Sequence, residues 1–245
     1  MGGGFSFANT TATFRNMSKK SKNYRAAEAK LEVGKLYPLE EAISLVKETS
    51  VTKFDSSVEI HMKLGVNPKH ADQIVRGTIV LPAGTGKEVK VIAFVGDDLV
   101  ATAIEAGAVE AGSSELIEKI TKGWMDFDVA VAVPDMMKNL GKIAKTLGQK
   151  GLMPNPKAGT VTTDAPKTIS EIRKGKVEYR TDKYGNVHNL VGKVSFDDGK
   201  LSENVNAFIK AIKDAKPSAS KGTYIKSITL ASSMGPGVKV DPSGI

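Results

Sequence analysis

Between Leu147 and Thr160 the chain reads LGQKGLMPNPKAGT, with three glycines, two prolines, two lysines and no acidic residue. Glycine and proline set backbone turns and leave backbone donors spare, while the two ammonium groups attract anions. The segment reads as a rigid, cationic loop. A second glycine-rich stretch, GTGK at Gly84 to Lys87, invites a nucleotide-binding reading that its spacing refuses. A Walker loop needs glycine where Leu81 stands and serine or threonine where Glu88 stands. A dinucleotide fingerprint starting at Gly84 needs glycine in place of Val89. Catalytic groups are equally scarce. The chain has no cysteine, hence no thiolate nucleophile, disulfide framework or cysteine-ligated zinc. Nothing in the sequence obliges its three histidines, His61, His70 and His188, to converge. No catalytic residue, metal ligand set or cofactor is expected.

Two other stretches carry chemistry suited to binding. In FDSSVEIHMKLG, Val58, Ile60, Met62 and Leu64 alternate with Ser57, Glu59, His61 and Lys63. A strand there buries the first set and presents the second on its other face. A solvent-facing strand of mixed charge accounts for the same residues. Near the C-terminus, Tyr224 to Leu230 predicts a strand. Ser232, Ser233, Met234, Gly235, Pro236 and Gly237 then form a tight loop that exposes backbone amides, with Gly235 admitting another backbone closely. An ordinary glycine-proline turn is the plainer account. RNA helices offer a wide, shallow minor groove lined with 2′-hydroxyls, which a hydroxyl and amides on a rigid loop suit.

The elements that must position these groups alternate in an α/β rhythm. PLEEAISLVKE predicts an amphipathic helix that opens with Pro38 and buries Leu39, Ala42, Ile43 and Val46. EVKVIAFV and DVAVAVP read as buried strands, DDLVATAIEAG as a helix with acids at its start, and SSELIEKITKG as a helix capped by Ser113 or Ser114. DMMKNLGKIAKTLG predicts a helix with Met136, Leu140, Ile143 and Leu147 along one face, and Pro166 opens another. Trp124 reads as core rather than as a stacking platform. KVEYRTDKYGNVHNLVGKVSF reads as a hairpin turning at Asp182 to Asn186. LSENVNAFIKAIKDAK is the clearest helix, with Leu201, Val205, Phe208, Ile209 and Ile212 on one stripe.

Three of these segments, FDSSVEIHMK, LGQKGLMPNPKAGT and SSMGPG, resemble in the same order the bacterial-type L-one family of large-subunit ribosomal proteins. The resemblance covers the chain beyond its first 16 residues. It implies an α/β protein of two domains: a split α/β sandwich from both chain ends, 17–84 with 176–245, and an inserted Rossmann-like three-layer domain, 85–175, holding no nucleotide. The RNA-binding positions it implies are Lys53, Phe54, Ser57, Glu59, His61 and Lys63 on the strand, and Ser233, Met234, Gly235 and Pro236 in the loop. The family's Thr-Met-Gly clamp stands here as Ser233, Met234 and Gly235, which keeps the hydroxyl and loses a methyl group. Pro82, Gly84, Gly86 and Gly175 fall at the implied hinge. The implied function is to grip stalk ribosomal RNA, to assist release of deacylated tRNA from the exit site, and to repress translation of its own messenger RNA. The implied setting is the cytoplasmic ribosome, as a monomer, away from any membrane.

Charge agrees with that layout. Lys+Arg and Asp+Glu number 12 and 8 in residues 1–84, 12 and 12 in 85–175, and 11 and 7 in 176–245. A neutral insertion thus sits between two basic ends, within a chain of net charge +8 that favours a polyanionic partner. The acid-free start MGGGFSFANTTATFRN reads as a disordered tail, or a misassigned start before Met17. It also fits a myristoylation pattern at Gly2 and Ser6 and faintly resembles a transit peptide. Ser18 to Lys30 predicts a basic helix, with a phosphate backbone or plain solvent as its neighbour. No run of about 18 apolar residues predicts a membrane span. An enzyme on the inserted domain and a nonspecific polyanion coat are the rival classes. Nucleotide binding would support the first, and equal binding of unrelated RNAs the second.

Overall fold

The computed structural model describes residues 20–32 and 34–244; the 1–16 tail and its targeting patterns lie outside them. In chain order the main elements are helices α1 (Lys22–Glu28) and α2 (Leu39–Glu48), strands β1 (Ser57–Leu64), β2 (Arg76–Val80) and β3 (Val91–Phe94), and helix α3 (Asp97–Glu105). Next come β4 (Glu110–Gly112), α4 (Ser114–Thr121), β5 (Val129–Ala132), α5 (Met137–Leu140), α6 (Ala144–Gln149) and α7 (Ala165–Arg173). The chain closes with β6 (Lys176–Arg180), β7 (Asn186–Lys193), α8 (Asp198–Asp214), β8 (Ile225–Ser232) and β9 (Gly237–Val240).

Both ends of the chain build one sheet, in the order β7-β1-β8-β9, all antiparallel. Helices α2 and α8 cover one face of it. Ile43 and Val46 from α2, and Leu201, Val205, Phe208, Ile209 and Ile212 from α8, share one core with Val58, Ile60, Met62, Leu64, Ile228 and Leu230. Burial alternates strictly along β1, as its period of two requires. The middle of the chain forms a parallel sheet, β4-β3-β5, with separate cores on its two faces. Ile92 and Phe94 face α4, α5 and α6, whereas Val91, Ala93 and Val95 face α3 and α7. That is the expected three-layer arrangement. Trp124 packs against Phe127 at the edge of the first of these cores, 5.7 Å between ring centroids.

The two bodies are joined by an antiparallel ribbon in which Arg76–Val80 pairs with Lys176–Arg180. This corrects the expected hairpin. The turn at Asp182 does connect β6 to β7, and Asp182 N–H donates to Asn186 O, but β6 takes β2 as its ladder partner and β7 takes β1. The long helix expected after Pro134 is also broken. Successive amides at Gly141, Lys142 and Ile143 bond to carbonyls three residues back, a tightened turn at a glycine of low helix propensity. That turn still leaves Leu140, Ile143 and Leu147 buried on the sheet. Pro38 is the residue before the helix rather than its first, and Ser113 sits at the start of α4 without a side-chain cap bond.

Candidate functional site

The face of the terminal sheet opposite α2 and α8 carries no covering layer among the described residues. Ser57, Glu59, His61 and Lys63 stand along it, spanning about 20 Å at the usual strand rise. Neighbouring strands add groups that the sequence reading passed over: His188 opposite His61 and Lys193 opposite Ser57 on β7, Thr229 on β8, and Lys239 on β9 opposite Thr229. Lys63 donates to the carbonyl of Tyr184, and Lys193 donates to Ser57 Oγ at 3.1 Å and to Asp55 O at 3.3 Å.

At the Ser57 end, the C-terminal loop locks onto the strand. Ser233 N–H donates to Ser57 O at 2.9 Å, and Ser57 N–H donates to Ser233 Oγ at 3.3 Å. The stretch from Ser232 to Gly235 closes as a four-residue turn, with Gly235 N–H on Ser232 O at 2.8 Å. Its third position needs positive φ, and the residue there is Met234, at φ 63°. Met234 is the one non-glycine residue in that region among those described, and it is 78% exposed. An unbranched but bulky side chain held in a left-handed conformation and pushed into solvent is strain kept at a surface. Gly235 has a different task. A Cβ there would lie 2.2 Å from Ser232 Oγ, so its value is close packing. Phe54, 64% exposed, precedes the strand at the same end, and Tyr184, 64% exposed, stands at the Lys63 end. Lys53 is exposed and Pro236 is buried behind the turn. A large apolar residue in the polar turn DKYGN was the signal for Tyr184.

Two of the histidines, which nothing in the sequence obliges to converge, meet. His61 Nδ1 and His188 Nδ1 are 2.9 Å apart, with rings edge to face. Burial, then the neighbouring imidazole, lowers the pKa of His61, and Glu59 partly offsets them. Asp182, in the turn behind His188, is desolvated, yet amides of Asn186 and Tyr184, the Asn186 side chain and His188 together hold its pKa down at about 2.

The conspicuous loop from Leu147 to Thr160 is elsewhere. Leu152 and Met153 pack on the inserted core, Asn155 Oδ1 accepts from Lys157 N–H at 2.9 Å, and Gly159 turns at φ 63°. It abuts the connecting ribbon, and Lys176 and Glu178 share a small cavity with Gly159 and Thr160. Of the four implied hinge residues, Gly84 and Gly175 lie against each other. Leu81 N–H donates to Gly175 O at 3.1 Å, and a Cβ on Gly175 would lie 2.7 Å from Gly84 Cα. Behind this crossing lies Asn204 of α8, fully buried, accepting from Ala83 N–H at 2.9 Å and donating to Gly84 O at 2.9 Å and Val191 O at 2.7 Å.

This is a two-domain α/β protein with one open polar sheet face, and the described residues contain no group of histidines and acids able to hold a metal. Residues 46–236 match the family described as "Ribosomal protein L1p/L10e family", and the chain belongs to that family. It is 52% identical over 227 residues to "Large ribosomal subunit protein uL1" of Paenarthrobacter aurescens, covering 93% of this chain and 97% of the relative. It is 54% identical over 224 residues to the protein of the same name from Chlorobaculum tepidum, covering 91% and 97%. Members of this family are ribosomal proteins, and the chain is not an enzyme. No helix of the described residues is long and apolar enough to cross a membrane.

Proposed function

We propose that this protein is a structural constituent of the large ribosomal subunit that grips stalk ribosomal RNA with the open face of its terminal sheet. The observation that carries the reading is the uncovered row Ser57, Glu59, His61 and Lys63, with strained, exposed Met234 at one rim. Lysines supply salt-dependent attraction to phosphates, and Lys53, Lys63, Lys193 and Lys239 stand on or beside the face. Hydroxyls and the Ser233–Gly235 backbone read groove shape and 2′-hydroxyls. Phe54 and Tyr184 give the ends of the row exposed rings for unpaired bases, a larger stacking role than an aromatic content of 6% suggests.

We divide the chain at 84/85 and 175/176, with residues 17–84 and 176–245 as the RNA-binding domain. The paired strands between the bodies allow hinge motion at Pro82, Gly84, Gly86 and Gly175 while limiting twist. Through that motion the protein assists release of deacylated tRNA from the exit site. A stalk-like fold in its own messenger RNA would be held by the same face and repressed. The relatives named for the large subunit support the first of these roles, and the resemblance supports the other two. The deciding experiment is a gel-shift titration against a stalk RNA fragment and a scrambled hairpin of equal length, at about 50 and 200 mM salt. Preference for the stalk that survives high salt supports the reading. Equal binding that collapses with salt leaves only the +8 charge and sinks it.

A further inference from the structure

On a sheet face that also carries hydroxyls, amides, lysines and Glu59, His61 and His188 meet Nδ1 to Nδ1 at 2.9 Å with side chains 32% and 52% exposed. We propose that this pair belongs to the RNA interface and takes up a proton as RNA phosphate closes over it, so that affinity is linked to pH. The inference rests on the sheet-face reading of the function. Across 2.9 Å one ring must donate and the other accept, so the free pair accommodates one added proton with its bond intact. A second would set two N–H groups against each other.

The surrounding charges are few. Glu59 Oε2 lies 3.7 Å from His61 Nε2, and Asp182 Oδ2 lies 3.6 Å from His188 Nε2. Lys63 stands two residues from His61, Lys239 lies on β9 beyond Thr229, and β8 carries Lys226 on the register of buried Ile228 and Leu230. The turn adds Lys183, and β6 approaches through Glu178, whose carbonyl accepts from Asn189. Each imidazole thus has one carboxylate near its outer nitrogen, and at His61 burial and the other ring oppose charging. A phosphate over the pair adds the missing counter-charge, so the complex binds more protons than the free protein. By linkage, affinity rises as pH falls toward and below the usual histidine range.

The test is affinity of the full chain for the stalk RNA fragment at constant salt across about pH 5.8 to 8.0, with His61→Gln, His188→Gln, the double variant, and His70→Gln as control. Glutamine keeps hydrogen-bonding capacity and removes the titration. One linked proton predicts that wild type and the His70 variant gain several-fold, up to about tenfold, per unit of falling pH. The double variant should have a flat profile, whatever affinity it keeps at pH 8. A slope unchanged in the double variant places the proton elsewhere and overturns the proposal. Affinity lost equally at every pH makes the pair structural and also overturns it. Failure of the sheet-face reading itself looks different: no preference for stalk over scrambled RNA at any pH.

Discussion

The two sheets of this protein are built from similar apolar strands and end up with opposite uses. In β1 every second residue is buried, and in β3 all four are. The first strand belongs to an antiparallel sheet with helices on one side. The second belongs to a parallel sheet whose helical crossovers cover both sides. A one-sided sheet leaves a rigid, evenly spaced polar row for a ligand, whereas a two-sided sheet leaves only its edges and loops. Charge follows the same division. The inserted region sums to zero, yet residues 85–135 hold 4 basic and 10 acidic side chains and residues 136–175 hold 8 and 2. The cationic loop from Leu147 to Thr160 sits in the basic part, so its charge belongs to a polarised surface and not to the sheet face.

The largest effect expected is at the junction where the two regions are held together. Asn204→Leu should cost about 3 kcal/mol of stability, because it leaves Ala83 N–H and the carbonyls of Gly84 and Val191 without their buried partner. Denaturant unfolding measures it, and a loss below about 1 kcal/mol would mean water replaces the amide and the junction is not dry. Next is Met234→Asp, which puts a carboxylate where phosphate is expected. Asp tolerates positive φ, so the fold is kept. Binding to stalk RNA should weaken by at least about 2 kcal/mol, roughly 30-fold. Unchanged affinity in the folded variant removes the loop from the site and erases the contrast between the two sheets.

Period and run length made much of this legible. The alternation of Val58, Ile60, Met62 and Leu64 with polar residues, and the unbroken VIAF, each allow one burial pattern. Asn204 also left a sign, since it stands on the stripe of Leu201, Val205 and Phe208 where an apolar residue is expected. What escaped depends on distant partners. The ladder choice of β6, and the meeting of His61 with a histidine 127 positions away, are set by sheet register, which no local pattern encodes. The turn at Met234 escaped for another reason. Its neighbour Gly235 looks like the residue that takes positive φ, and the sequence gives no hint that methionine takes it instead.

That exchange yields a smaller prediction that sharpens the functional side of the comparison. Met234→Gly relieves left-handed strain and should raise stability by about 1 kcal/mol, while removing the exposed thioether and weakening RNA binding. Thermal unfolding and the gel shift would be read on one preparation. Greater stability with undiminished binding would mean that the strain serves nothing at this face.

The smallest effect tests the division itself. Removing residues 87–173 and joining Gly86 to Lys174 should change stalk affinity by less than about 1 kcal/mol. The cut ends already lie together, since Leu81 N–H bonds Gly175 O at 3.1 Å and Gly84 leaves no room for a Cβ on Gly175. The core of Val58, Ile60, Met62, Phe208 and Leu230 draws nothing from the deleted segment, so the remaining domain keeps its sheet, its helices and its open face. Because the deleted segment carries 11 basic and 12 acidic residues, long-range attraction to RNA should also persist. A folded deletion protein that no longer prefers stalk RNA would show that the basic half of the insertion, residues 136–175, contributes to the grip. The contrast between an active one-sided sheet and a passive two-sided one would then have to be abandoned.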